Sequence, residues 1–155
     1  MTTALRLVER VVQTYPRAFK VVLADALYAE ARFVNFLVSH RKHVLIVLKD
    51  ERRELYRDAT GLFELHPPQV GRYRKRQCLW WDVQDLNTWP QVLAPLRVVR
   101  SQETYFVRRQ LKGNLEQQQT EWMWVSTLTQ SELSTEGVVR LGHARWDIEN
   151  YAFNE

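Results

Sequence analysis

The sequence holds a single cysteine, Cys78, in 155 residues, so no intrachain disulfide can form and a cytosolic setting is expected. No apolar run approaches the roughly 20 residues that cross a bilayer, so no membrane partner is expected. The opening Met1-Thr2-Thr3-Ala4-Leu5-Arg6 carries no signal-peptide hydrophobic region. A Gly-rich phosphate loop is also lacking. The four histidines, His40, His43, His66 and His143, have no zinc-ligand spacing with one another or with Cys78, and read as helix-end, loop and packing residues. Internal repeats and low-complexity stretches are absent. A secreted disulfide scaffold, a membrane span, a zinc module and a P-loop nucleotide site are thereby set aside.

What remains is an ordinary globular composition, 45% apolar and 26% charged, of one-domain length. The net charge is +4, a weak pointer to a polyanionic partner. Its distribution is more informative. Residues 1–50 carry +4, residues 51–112 carry +5, and residues 113–155 carry −5. The basic charge sits on the first two thirds, and the end of the chain is acidic.

Leu5, Val8, Val11 and Val12 form the apolar stripe of a first helix, over about residues 3–14, capped by Thr2 or Thr3. Val21-Val22-Leu23-Ala24 is a short continuous apolar run, the pattern of a strand buried on both faces. A helix over about Ala29–His40 and a second buried strand, His43–Leu48, complete a βαβ unit. A polar helix is expected around Glu51–Thr60, then a loop punctuated by Gly61, Pro67, Pro68 and Gly71. β-type runs follow at Tyr73–Val83, Leu96–Gln110 and about Leu115–Leu128, the last two joined by a turn at Lys112-Gly113-Asn114. Ser134 can cap a final helix with a buried stripe of Leu141, Ala144, Ile148 and Tyr151 or Ala152. The organisation is therefore α/β over residues 1–50, a β-rich insertion over 51–130, and a closing helix over 131–155.

Asp25 stands directly after the first strand. Functional groups of open α/β sheets gather at the carboxyl ends of strands, and a carboxylate there suits a divalent cation. Its everyday alternative is a cap for the next turn. Glu149 lies four residues after Arg145, so the two share a helix face. The everyday alternative here is an i,i+4 pair worth about 0.2–0.5 kcal/mol, in the less favoured order of charges.

The segment Arg145-Trp146-Asp147-Ile148-Glu149-Asn150, with its flanks, resembles the C-terminal catalytic helix of DDE transposases of bacterial insertion sequences. The similar branch carries a long β-rich insertion before its last acid and a signature of Tyr, two residues, Arg, three residues, Glu, six residues, Lys. Arg145 and Glu149 match it. Gly142 stands at the Tyr position, and the Lys position, 156, falls beyond the sequence. Val21-Val22-Leu23-Ala24-Asp25-Ala26-Leu27-Tyr28-Ala29 resembles the segment with the family's second catalytic Asp. The 123 residues between Asp25 and Glu149 leave room for the insertion.

The resemblance implies a ribonuclease-H-like core, incomplete here, with Asp25 and Glu149 as catalytic and metal-binding carboxylates. It implies Mg²⁺ or Mn²⁺ as the cofactor, held weakly by an incomplete site, and Arg145 on a phosphate near the cut. The partner would be DNA at transposon ends, with dimerisation on DNA in the full-length protein, in a bacterial cytoplasm beside the nucleoid. The family's first Asp, usually in an Asp-Gly context on an earlier strand, has no candidate ahead of Asp25. With only six residues after Glu149, the sequence reads as a C-terminal fragment, inactive alone. Lys49, Arg74, Lys75, Arg76, Arg108 and Arg109 are candidate phosphate contacts. Trp80, Trp122 and Trp124 read as strand core rather than as base-stacking platforms. The competing expectations are a catalytically inactive DNA-binding remnant, and a structural α/β domain whose match is accidental.

Overall fold

The structure, a computed structural model, describes residues 2–49, 53–111 and 113–152, with side chains for all of these except 53 and 148–152. Helix α1 (Thr2–Thr14) leads to β1 (Val21–Ala24), a 3-10 turn (Ala26–Tyr28), α2 (Ala31–Ser39) and β2 (His43–Val47). Then come α3 (Arg53–Phe63), β3 (Gln69–Tyr73), β4 (Arg76–Leu86), β5 (Leu96–Arg108), β6 (Leu115–Ser126) and α4 (Thr135–Ala152). The strands form one mixed sheet in the order β1-β2-β6-β5-β4-β3. Only β1 and β2 run parallel, joined by the α2 crossover, and every other neighbouring pair is antiparallel.

Alternation along the strands sorts two cores, one on each face. On β2, Val44 and Ile46 pack with Phe33, Val34 and Leu37 of α2 and with Leu55 and Phe63 of α3. Leu45 and Val47 point the other way, to Trp80, Val99 and Trp124 and to Val138 and Val139 of α4. The second apolar run, β2, is thus sandwiched between helices, whereas Val21, Val22 and Leu23 of β1, expected to be buried on both faces, are half-buried at the edge of the sheet, with only Ala24 buried. Full burial of one such side chain, Leu37 for instance, contributes about 1.5–3 kcal/mol. Lys42 ties the crossover to the chain before β1, donating from Nζ to the carbonyl oxygens of Pro16 and Phe19.

A buried ion pair fixes the approach to α4. Arg97 on β5 binds Asp82 on β4 through Nε and Nη2, and its Nη1 donates to the carbonyls of Leu128, Thr129 and Leu133. Thr135 Oγ1 donates to the same Asp82 carboxylate. One guanidinium therefore satisfies the carbonyls of the turn that carries the chain from the sheet onto its far face.

The element pattern follows the sequence with four corrections. The first concerns β3, which forms where a loop is expected: Pro67-Pro68 precede it, and Arg74, at φ 52, helps close a tight hairpin onto β4. Second, Gly61 lies inside α3 rather than in the following loop. Third, α2 begins at Ala31, after the 3-10 turn, rather than at Ala29. Fourth, the buried face of α4 is Val138, Val139, Gly142 and His143, with Leu141 and Ala144 half-buried at its margins. The expected stripe was set by apolar type, and the helix instead turns a glycine and a histidine onto the sheet. Ile148, Tyr151 and Ala152 of that stripe have side chains outside the described residues.

Candidate functional site

Ala24 ends β1 buried, and Asp25 follows in extended backbone. One carboxylate oxygen, Oδ1, accepts from the Ala26 backbone N–H at 2.7 Å and caps the 3-10 turn. The other, Oδ2, lies 3.2 Å from Nη2 of Arg145 on α4. The two readings of Asp25 thus coexist on one carboxylate. Its side chain is 38% exposed and that of Arg145 is 17% exposed, so the pair sits at a lip rather than in the core. Beside it, a groove of about 390 Å³ runs between α1 and β1, lined by Leu7, Val8, Val22, Leu27 and Tyr28.

Helix α4 starts where the Ser134 hydroxyl accepts from the Gly137 N–H at 3.0 Å, as expected of a capping serine. Residues two apart on a helix point about 200° apart. Arg145 therefore reaches one flank, toward Asp25 beyond β1, while Asp147 reaches the other, to Arg74 at the β3–β4 turn. Between them the helix lies close on the sheet. A Cβ at Gly142 would fall 2.4 Å from Cε2 and 2.5 Å from Nε1 of Trp124, so the indole fills the space that a larger side chain would need. The departure from Tyr at this position has a physical partner in β6.

His143 anchors the same stretch. Its Nε2 meets Oε1 of Glu103, a residue with 0% exposure, which also accepts from Ser101 Oγ at 3.0 Å and, through Oε2, from Arg76 Nη1 at 2.8 Å. Trp80 Nε1 donates to Ser101 at 3.1 Å, and Tyr73 stacks on the His143 ring. Burial pushes the Glu103 carboxyl up, but the hydrogen bonds and charge around it, from His143 first, outweigh burial and hold it below its ordinary value. Sequence reasoning missed this network. A strand carboxylate and a helix histidine 40 positions apart leave no periodic signal. Cys78, buried on β4, has its thiol pushed up by burial, so it is not a thiolate at neutral pH.

The strand register locates the expected DNA cations. β2 points its carboxyl end the same way as β1, and Trp124 of β6 lies opposite Val47 at that end. From Trp124 back to Leu115, β6 continues beyond it, paired with β5. The β3–β4 turn and the tip of the β5–β6 ribbon therefore project from the end of the sheet that carries Asp25. Lys49 follows β2 at that end and is exposed. Lys75 and Arg108 are exposed as well. Arg74 pairs with Asp147, Arg109 with Glu116 at 2.6 Å, and Arg76 with Glu103 while lying over the Tyr105 ring. Trp80 and Trp124 are core. Trp122 is half-buried and stacked on Trp124, and Trp146 presents its edge to it from the surface.

Glu149 occupies α4 one turn beyond Arg145, and its side chain lies outside the described residues. Among the described residues no group of three or more His, Cys, Asp or Glu could hold a metal ion. Asp25 offers the hard oxygen that Mg²⁺ or Mn²⁺ takes, so the donor fits in kind, while the described residues fall short in number. Nor, among the described residues, is any helix long and apolar enough to cross a membrane.

A mixed α/β sheet with a carboxylate at a strand end, met by an arginine from the closing helix, defines an α/β domain with a polar site at one end of its sheet. The family model of the transposase DDE domain matches residues 1–152, and the chain belongs to that family. The fold agrees with the family's ribonuclease-H-like architecture, and the family generally uses divalent metal. Comparison with curated proteins gives no match.

Proposed function

We propose that this chain supplies two of the three carboxylates of a DDE transposase, for metal-dependent cleavage and transfer of DNA strands by the complete protein. Asp25 and Glu149 are the metal ligands in this reading, and Arg145 holds a phosphate beside the scissile bond. The observation that carries it is the Arg145–Asp25 contact, because it joins the two segments that resemble the family's Asp and Glu regions. Residues 51–130 act as the family's β-rich insertion, and the cations at the Asp25 end of the sheet bind transposon-end DNA.

When bound, divalent cations activate the attacking oxygen and stabilise the leaving one in in-line displacement at phosphorus. The chain's own contribution is placement. Asp25 is fixed by its cap to the Ala26 N–H, and Arg145 by the close packing of α4 at Gly142 and His143. At 3.2 Å from Asp25, the guanidinium is near enough to bridge that carboxylate and a substrate phosphate.

The site lacks the family's first Asp, so Mg²⁺ or Mn²⁺ is held weakly and the chain alone is inactive. Among the described residues the outer edge of β1 has no strand partner, and in this reading the strand bearing the third carboxylate pairs there. In the cell the protein works in the cytoplasm beside the nucleoid, and the full-length form dimerises on DNA. The test is purified chain with Mn²⁺ on supercoiled plasmid carrying the element's ends, with and without a preceding segment ending in Asp-Gly fused ahead of residue 1. Nicking by the fusion that is lost in Asp25→Asn and Glu149→Gln is expected. Nicking by the chain alone, or by those variants, contradicts the proposal.

A further inference from the structure

The β5–β6 ribbon carries an arrangement that the candidate site does not use. β4 pairs with β5 only as far as Thr104, opposite Gln77, and beyond that row the ribbon is two-stranded, from Tyr105–Gln118 to Arg108–Leu115. Its turn is closed by Gly113 at φ 65, with the Gly113 N–H donating to the Arg109 carbonyl at 3.0 Å. Leu111 in that turn is 99% exposed, and Phe106 and Leu115 farther back are exposed too. In sequence Leu111 is flanked by Arg108, Arg109 and Lys112. The two-stranded ribbon thus exposes Phe106, Val107, Leu111 and Leu115 together with Arg108 and Arg109, the latter paired with Glu116, a mixed apolar and cationic surface. It fits a partner that is anionic outside and apolar within, and a DNA duplex, with phosphates around stacked bases, is such a partner.

The register adds a distance. Nine residues separate Trp124, level with the carboxyl end of β2, from Leu115, which at about 3.4 Å per residue is roughly 30 Å along the strand. That is close to one helical turn of B-DNA, about 34 Å. A duplex lying along β6 from the Asp25 end of the sheet would offer a groove to the ribbon tip about one turn away. The geometry points to Leu111 as an apolar wedge, carried by the β5–β6 ribbon into the minor groove, that unstacks a base step and bends the DNA. Arg108 and Arg109 hold the phosphates on either side. Apolar wedges that kink a duplex from the minor groove are a known physical solution, unstacking being offset by the protein surface that the bend brings into contact. The inference rests on the DNA-binding part of the proposed function.

The test uses the whole chain and a 30-bp duplex of alternating A and T, with 2-aminopurine at its flexible TA steps and dyes at both ends. Binding is read by anisotropy over a salt series, unstacking by 2-aminopurine fluorescence, and bending by energy transfer between the dyes. Wild type is expected to raise the 2-aminopurine signal and shorten the end-to-end distance. Leu111→Ser should return both to the free-duplex values while changing affinity less than about tenfold. Arg108→Gln with Arg109→Gln should lower the slope of log affinity against log salt by about 1–2. Wild-type binding without unstacking, or unstacking that survives Leu111→Ser, overturns the wedge alone. No salt-sensitive binding by wild type overturns the DNA-binding reading and the wedge with it. Concentration-dependent self-association abolished by Leu111→Ser, without unstacking, would assign the tip to a second copy of the chain and overturn the wedge.

Discussion

Arg145 on the closing helix meets Asp25 at the end of the first strand, 3.2 Å from guanidinium to carboxylate, and the same carboxylate caps the turn that follows it. The two oxygens do separate work, so two substitutions separate them. Asp25→Asn keeps an oxygen for the Ala26 N–H and loses the charge, at a cost below about 1 kcal/mol at this half-exposed position. Asp25→Ala loses the cap as well and should cost about 1–2 kcal/mol more. Urea unfolding of the three proteins checks the order. Equal loss in both variants would mean that the cap contributes nothing.

Gly142 is held to glycine by the Trp124 indole. Alanine is the better helix former by about 1 kcal/mol, yet Gly142→Ala should destabilise the chain, by about 1–3 kcal/mol, because its methyl meets a ring wedged between α4 and the sheet. Trp124→Leu, though costly by itself, should make Gly142→Ala nearly neutral. A double-mutant cycle gives the coupling directly, and zero coupling would refute the packing argument.

Asp82 and Arg97 are buried and each serves more than one partner. Asp82→Ala leaves the guanidinium buried and uncompensated, so a loss of about 3–5 kcal/mol is expected in thermal or urea unfolding. A loss under about 1 kcal/mol would place the pair's weight elsewhere.

Glu103 gives the fold an acid-sensitive anchor. Its carboxyl is depressed in the folded protein, so it takes up a proton less readily there than in the unfolded chain. The stability it contributes is complete above the ordinary carboxyl value of 4.5 and is lost as pH falls through the lower folded value. Glu103→Gln should therefore be less stable than wild type at pH 7, and the gap should narrow below pH 4.5. Urea midpoints across that range test it, and a constant gap would contradict the sign.

Much of this was legible in the sequence because it was local. Four apolar residues ending in Asp25, a nine-residue helix and a second apolar run can hardly form anything but a βαβ unit, and Ser134 announces the start of α4. Arg145 stood out through the family resemblance of its segment, and the helix that carries it brings it to Asp25. What escaped was long-range or atypical. β3 hides behind Pro67-Pro68 and closes on Arg74, which shows no Gly or Asn signal for its positive φ. The Glu103–His143 contact joins a strand to a helix through charge burial, and residue type alone did not show that α4 turns Gly142 and His143 onto the sheet.

The central claim is that Asp25 and the Glu149 turn of α4 serve one divalent cation. The direct measurement is Mn²⁺ titration of the isotope-labelled chain, read as paramagnetic broadening of backbone amides. The account predicts selective broadening around residues 24–27 and 145–150, weak in affinity, abolished by Asp25→Asn and by Glu149→Gln and untouched by Asp147→Asn. Broadening centred elsewhere, or unchanged by the first two substitutions, would contradict it.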